Sequence, residues 1–175
     1  MLKFMVSRSR IMIFGRPGSG KSTFAFALSK ALKLPLHHLD KHFYVANWIE
    51  RNYSEFLEIQ KSIVANSSWI IDGNSTKSLE IRYSKADLIL YFNYPRWICY
   101  WRILKRYFYK NSKFDDRAEG CHERITWSLL CYMWSFETRV ANKIQKLRTK
   151  YPKPPFIEIK NDIDLSQLKK ELTIP

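Results

Sequence analysis

The segment from residue 15 to residue 23 most constrains how this chain can fold. It matches the pattern Gly-x-x-x-x-Gly-Lys-Ser/Thr, which needs a strand before it and a helix after it. Both are predicted here, because apolar residues 11–14 precede the segment and apolar residues recur at helical spacing from residue 24. Glycines let backbone amides turn inward, and a helix start adds partial positive charge. The segment therefore predicts a site for a di- or triphosphate.

The candidate nucleotide-binding residues are those of this loop: Gly15, Arg16, Pro17, Gly18, Ser19, Gly20, Lys21, Ser22 and Thr23. Lys21 is expected to reach the β- and γ-phosphates and to act in catalysis, and the Ser22 hydroxyl to bind Mg²⁺. An ordinary glycine-rich turn before a helix is the alternative. The predicted strand and helix on either side favour the phosphate-binding interpretation.

Strand and helix patterns alternate along the whole chain, which is typical of a parallel sheet with helices on both faces. Predicted strands cover residues 10–14, 36–39, 69–71, 88–92 and 156–159. Helices are expected at 21–32, from Asn52 onward, at 95–109, along an amphipathic stretch at 125–147 and at the end of the chain, while 40–52 is expected to be a loop. With 175 residues, the chain suits one α/β domain, residues 1–175.

The charge balance favours anionic ligands. Thirty basic residues against 16 acidic ones give a formal net charge of +14, which suits nucleotides, phosphorylated small molecules or nucleic acid without choosing among them. Three separated cysteines predict reduced thiols and a cytoplasmic protein. No apolar run approaches the roughly 20 residues of a membrane span, so no membrane partner is expected. The oligomeric state is left open.

Asp72 ends the third predicted strand and is followed by Gly73. A carboxylate at the end of an apolar strand beside a phosphate loop can hold Mg²⁺ through water. We therefore predict that Asp72 and Ser22 form the metal site. The alternative is an aspartate that serves a turn or a helix cap.

Asp40 follows the second predicted strand and is the candidate for the acceptor side of the reaction. The carboxyl ends of parallel strands meet at one edge of the sheet, where ligands bind. A carboxylate there can orient an acceptor hydroxyl and take its proton, or bind substrate without acting as a base. The alternative is that Asp40 has only a structural role, in a loop or as a helix cap.

Arg102 and Arg106 are four residues apart in a stretch that interleaves aromatic and basic residues, so they share one helix face. Facing a cleft, they would neutralise charge on the transferring phosphoryl group. A nucleic-acid contact and a solvated basic face are the alternatives. The polar segment 110–124 is expected to be a basic lid over the phosphates, or else an exposed loop.

Five stretches together resemble one family: residues 15–23, 36–40, 69–74, 94–97 and 119–124. They look like the adenylate-kinase-related P-loop proteins often called DNA topology modulation proteins, and the resemblance covers nearly the whole chain. It implies a three-layer P-loop NTPase fold like that of nucleoside monophosphate kinases. It also implies a five-stranded parallel sheet in the order 2-3-1-4-5, a short lid, and binding of ATP and Mg²⁺.

The same resemblance assigns two further arginines. Arg124 would touch the transferring phosphates, and Arg82 lies where those kinases have a monophosphate-binding arginine. The long lid insertion of classical adenylate kinases is missing, and their Thr and Arg after the first helix are not recognisable. AMP is therefore disfavoured as the acceptor.

Two functions are consistent with these features. The first is a kinase that transfers the γ-phosphoryl group of MgATP to a small-molecule or nucleotide acceptor, with Lys21, Asp40, Arg102, Arg106 and Arg124 as its catalytic residues. The second is a nucleotide-binding regulator that contacts DNA through its basic surface and has little or no kinase activity.

Overall fold

The computed structural model describes residues 9–108, 125–172 and 174. The strands are β1 (Arg10–Gly15), β2 (Leu36–His38), β3 (Tyr44–Val45), β4 (Ile49–Glu50), β5 (Trp69–Asp72), β6 (Leu88–Phe92) and β7 (Phe156–Ile159). The helices are α1 (Lys21–Leu32), α2 (Leu39–Phe43), α3 (Tyr53–Ala65), α4 (Leu79–Tyr83), α5 (Arg96–Phe108), α6 (Trp127–Lys150) and α7 (Asp162–Glu171). The predicted lid, 110–124, lies outside the described residues.

Five strands form one parallel sheet in the order β2-β5-β1-β6-β7. The predicted α/β fold with a five-stranded parallel sheet is therefore confirmed. When the two short strands β3 and β4 are left out of the numbering, the same order reads 2-3-1-4-5 along the chain. The central strand β1 is buried from Ile11 to Gly15, as expected of a parallel strand covered on both faces.

Two hydrophobic clusters lie on the two faces of the sheet. One joins alternate residues of β1 to α1, α5 and α7, through side chains that include Ile11, Phe24, Ile103 and Leu168. The other joins the intervening residues to α3, α4 and α6, through side chains that include Met12, Phe56, Leu79 and Val140. Because neighbouring residues of a strand point to opposite faces, a continuous apolar run supplies both clusters, and the result has three layers.

The stretch predicted to be a loop, 40–52, instead contains α2 and a small antiparallel hairpin of β3 and β4. Strand β2 ends at His38, one residue earlier than predicted. Leu39 is buried, and the helical turn that follows it places Asp40 at the surface. The tip of the hairpin has positive φ angles at Asn47 (61°) and Trp48 (62°), so it reverses direction within very few residues.

Two other elements agree with the sequence patterns. Asn52 was predicted to begin a helix, and its Oδ1 accepts a hydrogen bond from the Ser54 amide at the start of α3. The long amphipathic helix α6 begins at Trp127 rather than near residue 125, because the Thr126 hydroxyl caps it. Within the described ranges, no helix has both the length and the apolar character needed to cross a bilayer.

Candidate active site

Two glycines at the loop between β1 and α1, Gly15 and Gly18, leave no room for a side chain. A Cβ on Gly15 would lie 2.3 Å from the carbonyl oxygen of Phe92, and one on Gly18 would lie 2.5 Å from that of Cys99. Gly18 also has a φ of 80°, in the left-handed region. The loop therefore packs backbone against backbone on the end of β6 and on α5.

The loop leads directly into the first turn of α1. Its N-cap is Gly20, which has no side chain with which to satisfy the amides of that turn, and the first turn contains no acidic residue. Lys21 and Ser22 stand in this turn and are half-buried. Unpaired amides, a helix dipole and a lysine together make a site for an anion.

Asp72 lies at the end of β5, next to β1 in the sheet, and is 3% exposed. Its Oδ2 lies 3.0 Å from the Nδ1 atom of His38, the residue paired with it in the β2–β5 register. Its Oδ1 is buried and, within the described part of the chain, has no hydrogen-bond partner. An ionised oxygen left in this state fits a hard cation such as Mg²⁺ or its bound water.

Four influences set the charge state of Asp72. Burial alone raises the pKa of this carboxyl group, because it disfavours the ionised form. The positive charge of Lys21, the hydrogen bond and charge of His38, and the nearby Ser22 hydroxyl act in the opposite direction and outweigh burial. The net pKa lies below its usual value, so Asp72 is ionised at neutral pH and faces the two loop residues predicted to hold MgATP.

The segment after Asp72 is tied to the phosphate loop. Asn74 Oδ1 accepts a hydrogen bond of 3.0 Å from the amide of Gly15, and the amide of Gly73 donates to the carbonyl of Ile13. These two hydrogen bonds therefore connect the carboxyl ends of β1 and β5 in addition to the pairing within the sheet. Neither Asn74 nor His38 was predicted as a site residue, because both contacts depend on the register between neighbouring strands.

Asp40 lies in the first turn of α2, immediately after β2. Burial raises the pKa of Tyr132 on α6 to about 12, and the negative charge of Asp40 contributes to that rise. Asp40 therefore lies within electrostatic range of α6, at the edge of the sheet where the phosphate loop and Asp72 also lie. The sequence pattern predicted that the phosphate loop, Asp72 and Asp40 follow strands at one edge of the sheet, and all three lie at that edge in the structure.

Arg16 differs from the other residues of the loop. Its side chain is buried, with Nη1 donating to the Tyr94 carbonyl at 3.1 Å and Nη2 to Glu137 at 3.2 Å. This side chain anchors the loop to α6. Because its guanidinium is engaged in these contacts, Arg16 can contact a nucleotide through its backbone.

Arg102 is close to the phosphate loop. Its Nη1 donates to the Ser19 carbonyl at 3.0 Å and its Nη2 to Asp162 at 2.7 Å, and its guanidinium lies over the Tyr94 ring. Arg106, one turn further along α5, is exposed. Arg124 lies outside the described residues. A catalytic role for these three arginines stays a prediction.

Arg82 is fully buried and directed into the interior. Its Nη1 donates to Gln60 at 2.6 Å and to the Ser78 hydroxyl at 3.3 Å, and burial lowers its pKa to about 10. These contacts fix the segment after Asp72 onto α3. They give Arg82 a structural role, which the resemblance to monophosphate-binding arginines did not predict.

No protein-family model matches the sequence, and no curated protein matches it. Solved structures do match. Shikimate kinase from Acinetobacter baumannii in complex with shikimate has a TM-score of 0.60 and 12% identity, with coverage of 99% of this chain and 98% of that chain. Shikimate kinase from Bacteroides thetaiotaomicron has a TM-score of 0.56 and 14% identity over 95% of this chain and 99% of that one.

A gluconokinase from Sinorhizobium meliloti 1021 has a TM-score of 0.53 and 14% identity, covering 95% of this chain and 90% of that chain. At such identities the likeness concerns the fold. The more specific resemblance to DNA topology modulation proteins is not shown by these comparisons and stays a prediction. The chain has the fold of the P-loop kinases.

Proposed function

We propose that this protein is a kinase that transfers the γ-phosphoryl group of MgATP to a hydroxyl group of a small molecule. The loop amides and Lys21 hold the phosphates, and Ser22 and Asp72 hold Mg²⁺. Asp40 binds the acceptor and can accept the proton of its hydroxyl group. When bound, Mg²⁺ neutralises charge that develops on the phosphates.

One observation carries this proposal. A buried, ionised carboxylate with one unsatisfied oxygen, Asp72, faces Lys21 and Ser22 at the mouth of a phosphate-binding loop. A structural aspartate in the same place would use both oxygens within the protein, because an unsatisfied buried acceptor costs free energy. A bound metal removes that cost.

Asp40 supports the acceptor half of the proposal. It is exposed and stands one strand beyond Asp72, at the same edge of the sheet. An exposed carboxylate can accept the proton of a hydroxyl that enters from solvent, which buried Asp72 cannot do. Two of the similar structures are named as a shikimate kinase and a gluconokinase, which supports a small hydroxylated acceptor rather than AMP.

Lys21→Ala tests this function directly. Purified protein is incubated with Mg²⁺ and γ-labelled ATP against a panel of sugars, sugar acids, cyclic polyols and nucleosides, and labelled product is measured. We expect transfer to one acceptor class and a loss of at least about a hundredfold in Lys21→Ala, because the lysine contacts phosphates in the transition state. The matched control is Lys30→Ala, which changes an exposed lysine on the same helix.

Two results would contradict the proposal. One is the absence of transfer to every panel member by protein that binds ATP. The other is unchanged transfer in Lys21→Ala. Tight binding of duplex DNA at physiological salt, without transfer, would favour the regulator instead.

A further inference from the structure

Helix α5 has apolar residues on two of its sides. Cys99 and Ile103 face the core and are buried. On the solvent side, Trp97, Trp101, Leu104 and Phe108 follow one another at intervals of four, three and four residues, and they are 69%, 66%, 44% and 75% exposed. That spacing places all four on one stripe of the helix.

The neighbouring helix extends this surface. The Tyr100 hydroxyl donates to the Leu130 carbonyl at 2.6 Å, and the Arg96 guanidinium lies 4.4 Å from the centre of the Trp134 ring, so α5 and α6 run side by side. Trp127 and Trp134 of α6 are 79% and 61% exposed. We call the six residues the aromatic face: Trp97, Trp101, Leu104, Phe108, Trp127 and Trp134.

An exposed apolar surface of this kind marks a contact site, because a folded chain otherwise buries its large aromatic side chains. The candidate active site does not use it. Arg102 and Ile103 face the phosphate loop, while the tryptophans stand on the opposite side of α5. Within the described residues, neither the core nor the candidate active site therefore accounts for the aromatic face.

We propose that the aromatic face docks the protein on an anionic membrane surface. The indole ring is the side chain that settles at the boundary between headgroups and acyl chains, and Leu104 and Phe108 supply the more apolar part of the stripe. Lys105 lies beside the stripe on the same helix, the Arg96 guanidinium lies over the Trp134 ring, and the whole chain carries a formal charge of +14. Such a helix lies in the plane of the interface and does not span it.

The charge also argues against the other occupants. Two copies of a chain with a charge of +14 repel each other, which disfavours a symmetric dimer through this face. Single-stranded nucleic acid binds in grooves where bases stack on individual aromatic rings. Side chains that are two-thirds exposed stand above the surface instead of lining a groove, and Leu104 offers no ring for stacking.

Vesicle sedimentation at about 0.15 M salt tests this proposal. The vesicles contain phosphatidylcholine alone, or phosphatidylcholine with about one-third phosphatidylserine. We expect binding to the anionic vesicles and much weaker binding to the neutral ones. Trp97→Ser combined with Trp101→Ser should weaken binding to anionic vesicles by about tenfold or more, and Lys105→Glu should weaken it by a smaller factor.

The matched control is Ile49→Ser, which changes an exposed apolar residue on the β3–β4 hairpin and should leave vesicle binding unchanged. Circular dichroism and thermal unfolding establish that each variant is folded. Equal binding by the tryptophan variant, or no binding to anionic vesicles by the natural chain, overturns the proposal. So does self-association through the face in ultracentrifugation, or retention of a single-stranded oligonucleotide that the tryptophan changes abolish.

Discussion

Two aspartates lie at opposite edges of the sheet, and both have pKa values below the usual one. Asp72, at the carboxyl edge, is kept ionised by Lys21 and His38 against the effect of burial. Asp87, just before β6 at the amino edge, pairs with Arg10 at 2.7 Å, and this contact likewise outweighs burial. The first carboxylate keeps an unsatisfied oxygen, whereas the second is paired through both. The pKa shift alone therefore does not distinguish the two carboxylates, whereas the unsatisfied oxygen beside Lys21 and Ser22 does.

The pair at the amino edge makes a pH-dependent contribution to stability. Because the pKa of Asp87 is lower in the folded chain than in the unfolded one, its contribution is complete above the unfolded value and is lost as pH falls through the folded value. Asp87→Asn should lower the free energy of unfolding by about 1 kcal/mol at pH 7, a modest figure because the pair is partly exposed. Urea unfolding at several pH values should show this difference shrinking below about pH 4.

The comparison variant for this experiment is Glu58→Gln, which removes a more exposed ion pair with Lys61 and should have almost no effect. Phosphoryl transfer should be unchanged in Asp87→Asn, because the residue lies at the edge away from the candidate site. If the difference in free energy of unfolding between the natural chain and Asp87→Asn grew as the pH fell, the predicted direction of the pH dependence would be wrong.

The regular elements were predictable where their signal is local. Helix α6 buries Met133, Phe136, Val140, Ile144 and Leu147, which is the periodicity read from the sequence. Helix α2 has five residues and β3 and β4 have two each, which is too short for any period to appear. The prediction of a loop at 40–52 was therefore wrong for the residues that form α2, β3 and β4.

The contacts that complete the candidate site were not predictable, because they join distant parts of the chain. Arg16 and Glu137 are 121 residues apart, and His38 and Asp72 are 34 apart. Once the strand order is known, the pairing of His38 with Asp72 follows from the β2–β5 register. Sequence patterns thus identified the loop and both carboxylates, and tertiary structure supplied their partners.

The packing of the phosphate loop on α5 gives a prediction about this element. Gly18→Ala should lower the free energy of unfolding by about 2–4 kcal/mol, because the new Cβ meets the Cys99 carbonyl at 2.5 Å and the residue has a positive φ. Gly20→Ala is the matched comparison. Its φ is also positive, but its Cβ meets only the Arg102 guanidinium, at 3.7 Å, so we expect a loss of about 1 kcal/mol.

Urea unfolding of both variants measures the difference. Equal losses would mean that backbone conformation alone sets the cost and that the loop does not rest on α5. No phosphoryl acceptor is needed for this experiment, so the result is independent of the proposed activity.

At the scale of the whole molecule, the charge of +14 opposes compactness. Raising NaCl from about 20 to about 200 mM shortens the Debye length from about 20 Å to about 7 Å, which screens the repulsion between distant charges. The thermal midpoint should rise by about 2–4 °C, which corresponds to about 1 kcal/mol for a chain of this size. Scanning calorimetry without nucleotide measures it.

Lys146→Glu combined with Lys153→Glu provides the control. Both lysines are exposed, and each change replaces a positive charge with a negative one, so the net charge falls from +14 to +10. The response to salt should become smaller. A midpoint that falls with added salt would show that local ion pairs outweigh the general repulsion.

The hydrogen bond from Gly15 to Asn74 has a consequence for how the protein can move. Together with the bond from Gly73 to Ile13, it ties the candidate phosphate loop to the strand end that carries Asp72. Under the proposed function, we therefore expect the loop and Asp72 to keep their relative positions when substrate binds. Any closure should instead move α2 and the β3–β4 hairpin, and with them Asp40.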